Sequence, residues 1–401
     1  MTFSLILWAL VWGGVFSGPE KLAPFPSLHD RMAVLQAIRT LFPVAAGYVC
    51  LLWALAARAR FRFGWTALGF LTFYGGLGLV SSVAFSPDPW TAVYWGSVYL
   101  SPLFVCWYII ERPEPLPILR AVLRANHAII ILLLAVVLPQ AARYGFGQST
   151  RYQFYRMPFG LGDVRANGVG RYAVIVLILA LVSLASSRSA KRLPWLALAV
   201  PALFVLMQTQ SRTALLGLAV AGMLFVVASG VNLRFLAVGP VAAYAIWVSG
   251  FTWRAKGELG TLIRLTGRET TWQKGLVKIG ESPFFGWGFH ADRLLLNSEH
   301  MHNSYLHAAI QAGVPGALLF TAAVVVFWIF LWRSGVLRRI RRAGDADRTL
   351  LIQSVLILGF LTARSLFEST AAFYGVDLFL FVPAVCYLYQ WALENPAPEK
   401  A

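Results

Sequence analysis

The sequence predicts an all-α integral membrane protein with about twelve transmembrane helices, and two observations carry that prediction. First, 58% of the 401 residues are hydrophobic and 13% are charged. An ordinary soluble domain carries about 25% charged residues. Second, the apolar residues form long runs, and a helix needs about 20 apolar residues to cross a hydrocarbon layer about 30 Å thick. We therefore expect residues 1–401 to form a single polytopic membrane domain.

Each predicted span is one of these apolar runs. In chain order the runs are 1–17, 35–57, 65–85, 90–110, 128–142, 172–185, 193–207, 213–231, 236–251, 308–332, 350–367 and 371–393. We expect the first run to be a span because it lacks the basic start and small-residue cleavage pattern of a signal peptide. The three cysteines fall inside spans, which predicts packing rather than disulfides.

Positive charge sets the predicted orientation. Basic residues concentrate in the loops after even-numbered spans, such as Arg58 after the second span and Arg338 after the tenth. Cationic loops stay in the cytoplasm during insertion, so both termini are predicted to be cytoplasmic. The net charge of +17 is spread over these loops without a nucleic-acid-binding motif, and we expect no nucleic-acid partner.

Two loops on the opposite, outer face break this charge rule. Residues 143–171 form a shorter loop that includes Arg165 and Arg171, and residues 252–302 form a long loop. Arginine suits phosphate because its planar guanidinium donates two parallel, charge-assisted hydrogen bonds. These loops therefore predict an anionic, phosphorylated ligand on the outer face. Arg212, at the outer end of span seven, is a further ligand candidate or a snorkelling anchor.

Part of the long loop has helical periodicity, from residue 262 to residue 280. The residues predicted to share its apolar face are Leu262, Leu265, Trp272 and Leu276. Arg264 and Arg268 are four residues apart and are expected to project the same way. Gly280 and Pro283 are expected to end the helix.

A glycine-containing turn and a group of histidines follow this helix. Gly286 and Gly288 permit a tight backbone, either in an ordinary turn or in a loop that contacts substrate. His302 is the candidate general base, since histidine accepts a proton near neutral pH and nearby arginines keep it neutral. His300 and His302 are two residues apart without a close acidic or cysteine ligand set, so we expect no metal.

Several of these residues form an ordered series along the chain. In order, they are Ser211, Arg212, Gly267, Arg268, Trp272, Pro283, Gly286, Gly288, His302, Asn303, Tyr305, Leu306, Gly313 and Gly316. Their order, spacing and placement on one predicted membrane face resemble the O-antigen ligase and polymerase superfamily. The resemblance covers about residues 160–320, and the first five spans match only in general hydrophobicity.

The resemblance implies a GT-C-like membrane glycosyltransferase of the bacterial inner membrane whose long loop carries a periplasmic active site. Its donor would be a glycan on undecaprenyl diphosphate, and a ligase would transfer that glycan to a sugar hydroxyl of the lipid A core. His302 would act as general base, while Arg212 and Arg268 would bind the departing diphosphate. Membrane lipids surround the protein, and no metal or other cofactor is implied. The residues expected to contact substrate are Arg165, Asn167, Arg171, Arg264, Trp272, His300, Asn303 and Tyr305.

Other functions compete with a ligase. A polymerase shares the same motifs and differs in its acceptor, while the short tail after residue 393 disfavours a protein O-oligosaccharyltransferase. A transporter of an anionic solute is the alternative of another class, but transporters place ionisable residues near the midplane. Here most charges lie at span ends. Arg364 and Glu368 are predicted to form an i,i+4 ion pair at a helix end, and Asp377 lies early in span twelve.

Overall fold

The computed structural model describes residues 1–15, 31–57, 66–143, 154–157, 163–187, 192–209, 211–229 and 268–396, and this part of the chain is mostly helical. Its helices are α1 (Thr2–Gly13), α2 (Arg31–Ala56), α3 (Ala67–Ala84), α4 (Pro89–Ile110), α5 (Pro115–Arg143), α6 (Ala166–Ser186), α7 (Leu193–Thr209), α8 (Arg212–Ser229), α9 (Arg268–Glu281), α10 (Ala291–Leu295), α11 (Ser304–Arg333), α12 (Val336–Arg339), α13 (Asp345–Ser365) and α14 (Val376–Glu394). A short 3-10 helix, Ile340–Arg342, follows α12.

Eight helices of the described part are long and apolar enough to cross a membrane. They are Ala37–Ala56 within α2, followed by α3, α4, α5, α6, α8, α11 and α14. The chain is therefore a multi-pass membrane protein, as predicted. Helices α1 and α7 are apolar but shorter, α13 is not among the eight, and the run 236–251 lies outside the described residues. The predicted total of twelve spans is not confirmed.

Two short strands depart from the all-helical prediction. Strands β1 (Phe154–Arg156) and β2 (Asp163–Arg165) pair antiparallel within the loop predicted at residues 143–171. The side-chain amide of Gln140 in α5 holds β1, because it donates to the Arg156 carbonyl at 2.7 Å and accepts from the Arg156 amide at 2.9 Å. The loop also ends earlier than predicted, so Asn167 and Arg171 lie on α6.

The described residues belong to two compact units. The first contains Met1–Leu123, Gly267–Ser334 and Ser365–Pro396, and the second contains Arg124–Thr266, Gly335–Arg364 and Ala397–Ala401. In the first unit, α3 packs between α4 and α11, while α1, α2 and α14 pack against α4. In the second unit, α6 packs against α7 and α8. The prediction of a single domain remains a prediction.

Helix α11 is interrupted one-third of the way along its length. Gly313 has φ +68° and ψ −174°, so the helical backbone breaks there. The loop before α10 fills the break, because the amides of Trp287 and Gly288 donate to the carbonyls of Ile310 and Gln311, both at 2.8 Å. Irregular backbone in a membrane protein persists where other protein groups satisfy its polar atoms. The predicted tight turn is thus a close backbone contact within the protein.

Phe289 anchors the same loop in the helical bundle. Its side chain is 1% exposed and lies against Gly78 of α3 and Gly96 of α4. A Cβ added at those glycines would lie 2.6 Å and 2.9 Å from the phenyl ring, so neither position has room for a side chain. The anchored loop then leads directly into the histidine-containing segment 290–307.

We expect Gly313→Ala to destabilise the protein. A Cβ at Gly313 would lie 2.5 Å from the backbone of Phe284, and the combination of φ +68° with ψ −174°, which is essentially restricted to glycine, costs another residue about 1–3 kcal/mol before that clash. Gly222→Ala is the matched control, since nothing lies within 4 Å of its added Cβ. Thermal unfolding in detergent measures both variants. Equal melting temperatures for the two variants would contradict this account of the break.

The helix predicted at 262–280 is described as α9, with its earlier residues outside the described part. It ends at Glu281, in agreement with the predicted stop. The predicted apolar face is wrong at Leu276, which is 54% exposed, while Leu262 and Leu265 lie outside the described residues. The buried residues of α9 are Thr271, Gly275 and Ile279. Gly275 explains the difference, because its missing side chain lets the helix approach Met301, whose Cε would overlap an added Cβ.

Candidate active site

His302, Glu368 and Arg268 meet within the first unit. The Nδ1 atom of His302 lies 2.8 Å from Oε2 of Glu368, and Nη2 of Arg268 donates to Oε1 of the same carboxylate at 2.7 Å. The side chains of Glu368 and Arg268 are 8% and 15% exposed, whereas His302 is 24% exposed. One carboxylate therefore joins two of the predicted catalytic residues and leaves the imidazole partly accessible.

The partner of His302 fixes which ring nitrogen carries the proton. An ionised carboxylate only accepts hydrogen bonds, so Nδ1 of His302 must donate to Glu368. In the neutral ring, Nε2 then has the free lone pair. A carboxylate that orients a histidine in this way also stabilises the imidazolium that forms when the histidine accepts a proton. The pair has the arrangement of a general base and its orienting group.

The backbone of His302 adopts a conformation that is uncommon for histidine. Its φ is +47°, in the left-handed region. The peptide groups of the preceding residue hold it there: the indole of Trp272 donates to the Met301 carbonyl at 2.7 Å, and the Met301 amide donates to Asp292 at 3.2 Å. Such strain persists where surrounding contacts over-determine it, often at functional sites.

Glu368 lies on a non-helical segment, residues 366–375, that is hydrogen-bonded to the start of α11. The Ser304 hydroxyl accepts from the Thr370 amide at 2.7 Å and donates to the Glu368 carbonyl at 3.0 Å. The Asn303 side chain donates to the Leu366 carbonyl at 2.9 Å. Two predictions are therefore wrong. Span twelve begins at Val376 rather than at 371. Glu368 is not part of a helical i,i+4 pair at a helix end, because it lies beyond the end of α13 at Ser365.

Asn303 also caps α11, which predicts two separable effects of mutation. Its Oδ1 accepts from the amides of Tyr305 and Leu306 at 3.0 and 2.9 Å, and a lost cap costs about 1 kcal/mol. Asn303→Ala removes both the cap and the bond to Leu366, whereas Asn303→Asp keeps an acceptor for the cap. We expect both variants to slow any reaction that needs Glu368 and only Asn303→Ala to lower the melting temperature clearly. Equal melting temperatures would contradict the capping role.

The other predicted substrate residues of the first unit also make internal contacts. The Tyr305 hydroxyl accepts from Ser365 at 3.2 Å, and the His300 ring lies 5.1 Å from the His302 ring. Roles in substrate binding for Trp272, His300, Asn303 and Tyr305 remain predictions. Arg264 lies outside the described residues.

A second polar cluster lies beside the first. His300 and His307 both face the buried carboxylate of Asp292, and a cavity of about 200 Å³ adjoins all three. Burial alone would raise the pKa of Asp292, but His307 and His300 hold that pKa well below its ordinary range. Burial lowers the pKa of His300. Near neutral pH the cluster thus combines a carboxylate with a neutral imidazole of His300.

The remaining predicted residues lie in the second unit, where the starts of α6 and α8 meet. The hydroxyl of Ser211 donates to Oδ1 of Asn167 at 3.0 Å. Arg165 immediately precedes α6, Arg212 is the first residue of α8, and Arg171 lies in the second turn of α6. The structure thus places Asn167 in contact with Ser211, the residue that precedes Arg212.

The sequence did not predict Glu368 and Asp292 as members of polar clusters. Glu368 had a usable signal, because the predicted topology places the loop between spans eleven and twelve on the same face as loop 252–302. Asp292 had no local sequence signal, since it lies eight residues before His300 and fifteen before His307, and this spacing matches no ligand motif.

The fold and the polar site together define a multi-pass membrane protein with an accessible histidine held by a buried carboxylate. A family model described as O-antigen ligase matches residues 173–321, which include Arg212, Arg268 and His302. The exopolysaccharide production protein ExoQ of Rhizobium meliloti (strain 1021) is 26% identical over 141 residues, which cover 31% of this chain and 31% of the relative. The resemblance to the O-antigen ligase and polymerase superfamily is confirmed for this part of the chain.

Proposed function

We propose that the protein is an O-antigen ligase that transfers a glycan from undecaprenyl diphosphate to a sugar hydroxyl of the lipid A core, at the periplasmic face of the bacterial inner membrane. The observation that carries the proposal is the contact of 2.8 Å between His302 Nδ1 and Glu368, which leaves Nε2 as a proton acceptor. The matching family description supports the same reaction class.

The proposed chemistry is a base-assisted displacement. The acceptor hydroxyl gives its proton to Nε2 of His302 as its oxygen attacks the anomeric carbon of the donor glycan. The bond from that carbon to the phosphate oxygen breaks, and its electron pair leaves with undecaprenyl diphosphate. Glu368 stabilises the imidazolium. General-base catalysis of this kind contributes about 10²–10⁴-fold to a rate.

The leaving diphosphate develops negative charge that must be neutralised. We assign this role to arginines. Arg268 uses Nη2 for Glu368, and a guanidinium has five N–H donors in all. In the second unit, Arg212 begins α8, and Arg165 and Arg171 lie at the start of α6. Helix N-termini favour anions because their unpaired amides and dipole are positive.

A polymerase is the second candidate. The printed name of the similar Rhizobium protein refers to exopolysaccharide production, and this favours a reaction whose acceptor is another lipid-linked glycan. The same base and the same arginines would serve that reaction, since only the acceptor differs.

The deciding experiment is transfer in vitro with purified protein, undecaprenyl-diphosphate glycan and lipid A core, without added Mg²⁺ or Mn²⁺. Glycan on the lipid A core supports the ligase. Longer glycan that remains on undecaprenyl diphosphate replaces the ligase with the polymerase. If no donor is consumed while the protein is monodisperse, the proposal fails and the transporter of an anionic solute is favoured.

A further inference from the structure

Three side chains form a compact cluster around the carboxylate of Asp292. His300 Nδ1 lies 3.1 Å from its Oδ2, and His307 Nε2 lies 3.7 Å from its Oδ1. The three donor atoms all lie within 4.8 Å of one another. Asp292 and His307 are 2% and 3% exposed. Two imidazoles and one carboxylate are the protein ligands of many zinc sites that keep a fourth position open.

The hydrogen bonding of His307 favours a further ligand at this place. Its Nε2 is 3.7 Å from the Asp292 carboxylate, beyond a hydrogen bond, for which the N···O distance is about 2.7–3.2 Å. Its Nδ1 is buried and has no hydrogen-bond partner among the described residues. Buried polar side-chain atoms are usually paired. An ion between Nε2 and the carboxylate would give this ring a strong interaction.

The distances suit a small divalent cation. Bonds from Zn²⁺ to nitrogen and oxygen are about 2.0–2.2 Å, so adjacent ligands of a tetrahedral site are about 3.3–3.6 Å apart. The two separations from Asp292 are 3.1 Å, from His300 to Oδ2, and 3.7 Å, from His307 to Oδ1, and each lies within 0.2 Å of that range although they involve different carboxylate oxygens. Small movements of the imidazoles would complete the geometry.

Surrounding groups hold the ligands in place. The Asp292 oxygens accept from two backbone amides, at 2.9 and 3.2 Å. The Phe373 ring lies 5.2 Å from the His300 ring and 5.5 Å from the His307 ring, so it packs against both. Contacts of this kind orient metal ligands before the ion binds.

We propose that Asp292, His300 and His307 bind one divalent transition cation, with Zn²⁺ the best fit and the fourth position facing the adjoining cavity. Arg293, Gln311 and Tyr374 are among the other residues that line this cavity. The ion fixes His300, whose ring lies 5.1 Å from the His302 ring at an interplanar angle of 28°. It thereby steadies the segment that carries His302. Binding of the ion does not depend on the proposed glycan transfer, and it is measured without substrate.

The test is the metal content of the intact protein in detergent, prepared without a polyhistidine tag because such a tag binds the same ions. The protein is stripped with a chelator, loaded with Zn²⁺, dialysed and analysed by mass spectrometry of the metal. We expect about one Zn²⁺ per chain, and a loss of affinity of at least about 100-fold in Asp292→Asn and in His307→Gln. Loading with Co²⁺ should give the intense visible absorption of a four-coordinate site.

The matched control is His290→Asn. His290 lines the same cavity with φ +66°, and asparagine tolerates that backbone. Retention of Zn²⁺ by this control supports the assignment. The assignment is overturned if the wild type retains no Zn²⁺, or if the wild type, Asp292→Asn, His307→Gln and His290→Asn all retain the same amount. If a ligand variant does not fold, X-ray absorption of the zinc-loaded wild type decides: two imidazoles support the proposal, and a shell without histidine overturns it.

Discussion

We expect His302→Asn to lower the rate of glycan transfer by about 10²–10⁴-fold, the usual contribution of a general base. Asparagine suits this test because it tolerates the φ of +47° at this position and its amide can still donate to Glu368. It cannot accept the proton of the acceptor hydroxyl. The variant therefore removes the chemistry while it keeps the contact that orders the site.

The measurement is the initial rate of transfer at saturating donor and acceptor, with size-exclusion chromatography and thermal unfolding to show that the variant is folded. Arg338→Ala is the control, since Arg338 is an exposed residue of α12 outside the proposed site. We expect that control to keep its rate within about twofold, as surface substitutions usually do. A folded His302→Asn variant with the wild-type rate would remove His302 from the mechanism.

The sequence predicted the membrane class because length and hydropathy alone decide whether a helix can cross a bilayer. It also predicted that His302 and Arg268 belong to one site, and the structure joins them through a carboxylate. Their residue types carried that prediction, since base and phosphate-binding chemistry each require a specific side chain. Helix α9 shows what the sequence could not predict. Its buried face is set by the contact between Gly275 and Met301, a tertiary contact that helical periodicity does not reveal.

Glu368 shows why the rest of the site was not predicted. Its spacing from Arg364 matches a helical ion pair, and the residues that follow are apolar enough to read as the start of span twelve. The structure instead has a non-helical segment there, whose backbone groups are satisfied by Ser304 and Asn303 from another part of the chain. Such long-range backbone partners leave no local pattern. The sequence therefore predicted a break of only three residues, 368–370, where the structure has ten non-helical residues, 366–375.

The second large effect that we expect is for Glu368→Gln. Glutamine keeps the size of the side chain but lacks the charge that orients His302 and stabilises its imidazolium. We expect kcat to fall by at least about 10²-fold while KM for the donor changes little, because the lost interaction forms mainly in the transition state. Arg268→Gln should instead also raise KM for the donor, since we assign that arginine to the diphosphate.

Stability must be separated from catalysis here, because Glu368 and Arg268 are a largely buried pair. Removal of one partner of such a pair costs about 3–5 kcal/mol, since it leaves the other charge uncompensated. The double variant Glu368→Gln/Arg268→Gln removes both charges, and we expect its melting temperature to exceed that of Glu368→Gln. Initial rates of the single variant are therefore measured well below its own melting temperature. If Glu368→Gln is folded at that temperature and transfers glycan at the wild-type kcat, the carboxylate is a structural partner of Arg268 and His302 acts without an orienting group.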